Sequence, residues 1–333
     1  MSSQSTKMPQ VTERNYYDPE LGNKMMSASL FKSFLSNEAS ALAAMRGEYD
    51  LFENKTALYV GNYLHSYFES AEAHEIFIAE HFNDIYKTSV VKTEPTEGRY
   101  KTHRELQPIT TYQKYKADGT LAKPQKTKPA AGKFETIVEE QLVETYTKAT
   151  GMFAEFERAQ LMIDRIEQDK SLMAIINAAT EHEVILTGEI DGVPWKGKAD
   201  ALNLEMGYLI DYKTVRTLVA DGSEWNDEAG RKQNFIKNRR YDVQMAAYKE
   251  LLKQKYNRDF DIYIIAVSKE NGPLADLYQL TNETLAEGMQ TILNYQHRFM
   301  DIIHGKLEPT MNPDHSRYFN ERYRVDLEQP KTI

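Results

Sequence analysis

Asp200 and Asp211 stand eleven positions apart in the stretch KGKADALNLEMGYLIDYKT, residues 196–214, and Lys213 follows the second by two. Apolar residues such as Leu202, Leu209 and Ile210 surround these charges. Side chains alternate faces along a strand, so Asp211 and Lys213 point the same way. A two-residue turn at Glu205-Met206 would set Asp200 directly opposite Asp211, with Cβ atoms about 4.5–5.5 Å apart. A turn one residue further on would set Asp200 opposite Lys213, and a three-residue loop would set it opposite Tyr212 and break the arrangement. Two carboxylates that close repel, and one takes up a proton unless a cation sits between them. Hard oxygen ligands at this spacing suit Mg²⁺ or Mn²⁺. A neighbouring ammonium could stabilise a pentavalent phosphate or assist in deprotonating a water. The other reading is a solvent-facing ladder in which Lys196 and Lys198 pair with the aspartates. Residue types and spacing leave both open.

Several elements must position these groups. EHEVILTGEIDGVPWKGKADALNLEMGYLIDYKTV is rich in strand formers and broken at Asp191-Gly192 and Met206-Gly207, which predicts a three-stranded antiparallel meander. Upstream, Ser27 or Ser29 can cap a helix that buries Leu30, Phe31 and Phe34. A longer helix over KTALYVGNYLHSYFESAEAHEIFIAEHF aligns Leu58, Gly61, His65 and Phe68 on one face. His65 there is either a packed core residue or a ligand, and Gly61 one turn earlier would let a backbone or a metal site approach. Downstream, NFIKNRRYDVQMAAYKELLKQKY predicts a helix with Tyr241, Gln244 and Tyr248 on one face. Arg231, Lys232, Lys237, Arg239 and Arg240 crowd the segment before it, and such a cluster fits a phosphodiester substrate. FDIYIIAVSK predicts a buried strand, ADLYQL another, and NETLAEGMQTILNYQHRFMDIIHG a last helix ended by Gly305.

Composition sets the bounds. The chain has 333 residues, 41% of them hydrophobic, and a net charge of −9. It has no cysteine, which excludes disulfides, thiolate zinc sites and cysteine-ligated iron–sulfur clusters. No run of about 18 apolar residues suggests a membrane span. The polar start lacks a signal-peptide apolar region, so a cytoplasmic protein is expected. Residues 1–26 are expected to be flexible, 27–310 to form a single domain, and 311–333 to extend it. Within that domain, 87–133 carries eleven basic and four acidic residues together with four prolines. It predicts a loop-like basic insertion, either a solvated surface loop or a contact to a polyanion. Residues 134–179 are expected to return to helix.

The motifs GNYLHSYFE, GKADAL, LIDYKT and YDVQMAAY, in that order, resemble the RecB-like branch of the PD-(D/E)XK nucleases, and most closely phage and prophage exonucleases of the RecE (exonuclease VIII) type. MSASLFKSFL is similar to the N-terminal helix of those proteins, and the likeness covers roughly residues 15–300. It implies an α/β restriction-endonuclease-like core, a central mixed sheet with an antiparallel meander, flanked by helices. It implies a metal site for Mg²⁺ or Mn²⁺ from the side chains of His65, Asp200 and Asp211 and the carbonyl of Tyr212, with Lys213 as catalytic lysine. Gln244 and Tyr248 would match a Gln-x-x-x-Tyr motif near the DNA, beside Tyr241, Arg239 and Arg240, and Glu183 would match a family glutamate. The resemblance further implies resection of double-stranded DNA ends, 5′ to 3′, by a ring-shaped homo-oligomer with a single-strand annealing recombinase as partner. Two other expectations compete: a catalytically silent nuclease-fold protein that binds DNA or a recombination partner, and a single-strand or structure-specific endonuclease.

Overall fold

β-Branched and aromatic residues recur through 181–215 and 261–279, and in the computed structural model these segments pair into one mixed sheet. The structure describes residues 8–51, 54–226, 229–311 and 317–322. The chain divides into two compact units, one of residues 79–154 and one of the remainder. Strand β1 (Met26–Ser27) comes first. β2 (Tyr86–Val91), β3 (Tyr100–Lys114) and β4 (Phe134–Met152) lie in the smaller unit. β5 (Glu181–Ile190), β6 (Val193–Asn203), β7 (Tyr208–Val215), β8 (Glu224–Asn226), β9 (Arg231–Gln233), β10 (Asp261–Ser268) and β11 (Ala275–Gln279) complete the larger.

In the larger unit β5, β6 and β7 form the expected antiparallel meander. β10 runs parallel to β7, β11 returns antiparallel to β10, and β1 lies parallel to β6. β10 is buried on both faces, as its run of Ile262, Ile264, Ile265, Ala266 and Val267 requires. Helix Ala28–Ser36 starts where the Ser27 hydroxyl accepts the amide of Leu30 at 3.3 Å. Phe31 of that helix packs on Trp195 of β6 and on Phe299 of helix Asn282–Ile303, with ring centres 5.6 and 5.1 Å apart. Trp195 donates its indole N–H to Gln296 at 2.8 Å, and Gln296 donates to the carbonyl of Ile190 at 3.0 Å, so the buried amide is satisfied inside the core.

Helix Tyr241–Tyr256 lies against the sheet. Its approach depends on Gly197 of β6, where a Cβ would sit 2.6 Å from the Tyr248 ring. Gly288 has the same function on the next helix, because a Cβ there would run into the main chain at Asp242.

The N-terminal segment is more ordered than composition suggests. Residues 1–7 lie outside the described residues, but Pro19–Gly22 is helical and Leu21, Met25 and Met26 are buried in the core. Of the expected extension 311–333, only Met311 and helix Arg317–Arg322 are described.

The smaller unit corrects the loop reading of 87–133 and the helical reading of 134–152. Both belong to a three-stranded antiparallel sheet in the order β2-β4-β3. Three of the four prolines fall outside its strands, and the fourth, Pro108, sits on the edge strand β3, where a missing donor is tolerated. Strand β4 is rich in valine and threonine and carries Glu135, Glu139, Glu140 and Glu144 opposite β3. Arg104 and Glu144 pair across the sheet at 2.5 Å. Residues 79–154 hold twelve basic and ten acidic residues, a net of +2, so the excess positive charge of 87–133 is largely offset within its own unit, by the glutamates of β4 together with Glu80 and Asp84. Helix begins only at Ala154 and continues, after a break, over Lys170–Asn177.

Candidate active site

The β6–β7 register, continued one step beyond its last pair, would place Asp200 opposite Asp211. Ala201 faces Ile210, Leu202 faces Leu209, and Asn203 faces Tyr208. The connection is a four-residue turn, Leu204–Gly207, rather than two residues, and Gly207 takes the left-handed conformation at φ +77°. Pairing stops at Ala201. One step further, the Asp200 carboxylate accepts the main-chain N–H of Tyr212 at 2.8 Å. The two strands therefore part where the acidic residues begin.

His65 comes from helix Thr56–Glu69 and places Nδ1 3.3 Å from Asp200 Oδ2. Burial works against a charged imidazole here, yet the Asp200 carboxylate prevails and raises the pKa of His65. Burial also opposes charge on Asp200, and the charge and hydrogen bond of His65 outweigh it and lower that pKa. The two shifts describe one ion pair. Gly61 has no close-approach function, since a Cβ there would come no nearer than 4.0 Å to Thr214.

Glu183 completes the cluster. The register places it across from Asp200, but the ladder skips it, and its φ of +51° is rare for a glutamate. One ligand atom each from His65, Glu183 and Asp200 lie within 4.8 Å of one another. A Mg²⁺ with oxygen ligands at about 2.0–2.1 Å spans about 4.2 Å between opposite donors, so a small contraction would close the three around a cation. Two carboxylates and an imidazole are a donor set that suits Mg²⁺ and, through the nitrogen, Mn²⁺. Lys198 holds Glu183 at 2.6 Å and also faces Glu13 at 3.4 Å, while Lys196 donates to the carbonyl of Tyr16. Neither lysine pairs with an aspartate, which removes the solvent-facing ladder.

Asp211 stands next to this cluster, not within it. Fully buried, it faces Lys213 at short range and accepts from the Gln244 amide at 3.2 Å. Burial raises its pKa, and Asp200 adds to the effect against the opposing pull of Lys213. Burial would discharge Lys213, but Asp211 and Asp200 outweigh it and keep the ammonium charged well above the ordinary lysine range. Lys213 is thus a fixed cation and not a proton acceptor near neutral pH. Its ammonium lies 5.1 Å from the centre of the Tyr241 ring. Tyr212, between the two charged residues, turns its ring onto Phe68, 5.2 Å between centres, and its hydroxyl is buried without a hydrogen-bond partner among the described residues.

The helix Tyr241–Tyr256 brings its expected face to the site. Gln244 donates to Asp211 and, at 3.4 Å, to the Tyr248 hydroxyl. Arg240 reaches Asp242 at 3.4 Å and Thr291 at 2.8 Å, and Arg239, mostly exposed, faces Glu224 at 3.7 Å. One contributor is absent from the sequence-based set. Lys32, on helix Ala28–Ser36, donates to Gln244 Oε1 at 3.2 Å, and its ammonium lies 5.1 Å from the Tyr241 ring centre. Burial and the charge of Lys213 push its pKa down to about 8. The only sequence signal was a lysine set between Phe31 and Phe34 on a buried helix face.

This arrangement of a meander, a flanking histidine helix and a Gln-x-x-x-Tyr helix accompanies a family match over residues 27–321. The chain belongs to the family of the PDDEXK-like domain of unknown function, DUF3799. A solved structure from Eubacterium rectale, which bears the provisional name of an exonuclease, superposes on this DUF3799 chain with a TM-score of 0.68 at 21% identity, covering 97% of both chains. That likeness extends the shared fold over nearly the whole molecule. A second structure, of SSO0001, overlaps 48% of this chain and 72% of its own at 16% identity, with a TM-score of 0.25. No curated protein sequence matches this DUF3799 chain. Among the described residues, no helix is long and apolar enough to cross a membrane.

Proposed function

We propose that this chain is a divalent-cation-dependent deoxyribonuclease that hydrolyses phosphodiester bonds. The observation that carries the reading is the convergence of His65, Glu183 and Asp200 on one side of the parted strands with Asp211 and Lys213 on the other. A bound Mg²⁺ or Mn²⁺ would activate the attacking water and offset charge on the leaving oxygen. His65, Asp200 and Glu183 would hold it, with Asp211 and the carbonyl of Tyr212 next in line as ligands. The chain's own residues have distinct tasks. Lys213 presents a permanent positive charge toward the phosphate, where negative charge grows in the transition state. Asp211 holds that ammonium in place. Gln244 fixes one oxygen of Asp211 by donating to it, and Tyr248 supports Gln244. Tyr241, Arg239 and Arg240 contact the DNA backbone.

The finer reading follows the resemblance of the motifs to RecE-type enzymes. The substrate is the end of double-stranded DNA, resected 5′ to 3′ by a homo-oligomeric ring in the cytoplasm, to leave single strands for an annealing recombinase. The test compares linear with covalently closed DNA in Mg²⁺. Degradation of the linear form alone supports an exonuclease. Cutting of the closed form supports an endonuclease. No cutting of either, with DNA still bound, supports the silent binding protein.

A further inference from the structure

Lys32 is unusual among the cations near the site. Its contacts are the neutral amide oxygen of Gln244 and the face of Tyr241, and among the described residues no carboxylate lies within 4.0 Å of its ammonium. The charges that act on it stand further off, the like charge of Lys213 against the attraction of Asp211 and Asp242, so an incoming anion in direct contact would compensate it better. Lys32 also lines a cavity of about 790 Å³. Its amide partner, Gln244, touches Asp211, so this cavity adjoins the reacting centre.

The rest of the lining has a specific chemistry. Arg239 and Arg240 add two guanidinium groups, the first 3.7 Å from Glu224 and the second 3.4 Å from Asp242. Two acids also line it, but Glu38 is held by Arg298 through two hydrogen bonds of 2.7 Å, and Glu224 by Arg216 at 2.9 Å. Away from Lys32 stand two exposed aromatic rings. Trp225 on β8 is 62% exposed, and Tyr295 is 44% exposed. Neither is loosely placed. The Asn238 side chain donates to the carbonyls of Glu224 and Gln233 and so ties the β8–β9 hairpin to helix Phe235–Asn238, and Tyr295 stacks on Phe299 with centres 5.8 Å apart.

An exposed tryptophan face beside a cationic channel is what an unpaired base requires: stacking on the ring and phosphates on the charges. A paired base offers no free face, and a cavity of this size is in the range of a small-ligand pocket, too small for a duplex. We infer that the cavity between Lys32 and Trp225 is a single-stranded DNA track, in which Lys32 holds a phosphate next to the reacting centre and Trp225 stacks on a base further along the strand. The inference rests on the nuclease reading for its choice of ligand and adds the strandedness, the route and two contact residues.

The chain contains two tryptophans, and Trp195 is fully buried, so Trp225 reports on the track directly. The probe is a twelve-nucleotide oligothymidylate, added to the full chain in chelator and, with Mg²⁺, to the Asp211→Asn chain. Saturable quenching of tryptophan emission is expected, together with a rise in anisotropy of the labelled oligonucleotide. Trp225→Phe should abolish the quenching while retaining binding, and Trp225→Ala should weaken binding about tenfold. Lys32→Met should weaken it and flatten the dependence of log affinity on log salt by about 0.7, with Lys32→Arg restoring both. Absence of quenching in both conditions, quenching that persists in Trp225→Phe, or equal binding and quenching by a blunt duplex would overturn the track. Cleavage of linear DNA in Mg²⁺ is scored separately. A chain that cuts without quenching overturns the track alone, and one that is quenched without cutting overturns the nuclease reading alone.

Discussion

The carboxylate of Asp200 accepts the main-chain N–H of Tyr212 at 2.8 Å, at the point where the β6–β7 ladder has ended. One side chain thereby replaces the backbone acceptor that an unbroken sheet would supply, and the strands separate without leaving that amide unpaired. The gap is filled by His65 and Glu183 from one side and by Asp211, Lys213 and Gln244 from the other. The site is therefore a product of strand parting. This makes Asp200 both a candidate cation ligand and the residue that shapes the opening.

The division between the two carboxylate groups sets the first expectation. Glu183→Gln should weaken Mn²⁺ binding, measured by calorimetry, by at least about 10–100-fold, the loss that follows removal of a group which only orients a metal ligand. Asp211→Asn should leave Mn²⁺ bound but remove most DNA hydrolysis, because it releases Lys213. If Glu183→Gln binds Mn²⁺ like the parent chain, the cation is not held by the His65–Glu183–Asp200 cluster.

Lys213 is charged throughout the working range and so acts electrostatically. Lys213→Ala should lower kcat about 10²–10³-fold, the loss typical for one stabiliser of transition-state charge, with little change in Mn²⁺ affinity. Normal turnover once saturated with metal would reduce the lysine to a structural counter-ion of Asp211.

The His65–Asp200 pair predicts a pH dependence whose sign is fixed. In the folded chain the histidine pKa is raised above its ordinary value of about 6.5. The folded state therefore binds this proton more tightly than the unfolded state does. The resulting stability is present in full below about pH 6.5 and is lost as pH rises through the folded pKa. Without added cation, Tm should fall as the pH rises above about 6.5, and His65→Gln should flatten that part of the curve. Equal slopes for the two chains would show that the pair contributes nothing to stability.

Gly197 offers a test of how the Gln-x-x-x-Tyr helix is seated. A Cβ there would lie 2.6 Å from the Tyr248 ring. Gly197→Ala should therefore destabilise the chain by about 1–3 kcal/mol, the usual range for overpacking, seen as a lowered Tm. It should also reduce DNA hydrolysis, since Tyr248 supports Gln244. An unchanged Tm would mean that the helix can slide away from β6 freely.

What the sequence discloses depends on how local the cause is. Asp200, Asp211 and Lys213 are legible because strand alternation and the Met206-Gly207 turn are both local, and they restrict the register to a few choices. Tyr241, Gln244 and Tyr248 follow from helical spacing in the same way. Glu183 is harder to see, because its contribution depends on a left-handed φ that no glutamate advertises. Lys32 is harder still. A lysine in a helix normally signals a solvated face, and only the packing of Ala28–Ser36 beside Gln244 turns it inward. The smaller unit misleads for a different reason: lysine and proline density in 87–133 suggests a loop, and the glutamates of 134–152 suggest a helix. The cross-strand pairing that reconciles them is non-local.

That pairing also decides the last expectation. Lys123, Lys126 and Lys128 lie between β3 and β4, in the part of 87–133 with the densest positive charge. Taken as an isolated loop, they would track a DNA backbone, and each lost phosphate contact would reduce the salt dependence by up to about 0.9. Their unit, however, has a net charge of only +2 once the glutamates of β4, Glu80 and Asp84 are counted. Little long-range attraction for a polyanion remains, and exposed lysines are screened over about 10 Å at 0.1 M salt. Changing all three to alanine should therefore alter the slope of log affinity against log salt by less than one contact's worth and leave kcat unchanged. A slope reduced by two or more contacts would instead assign the turn between β3 and β4 to the DNA path, and would mean that its lysines act by direct contact rather than through the charge of the unit.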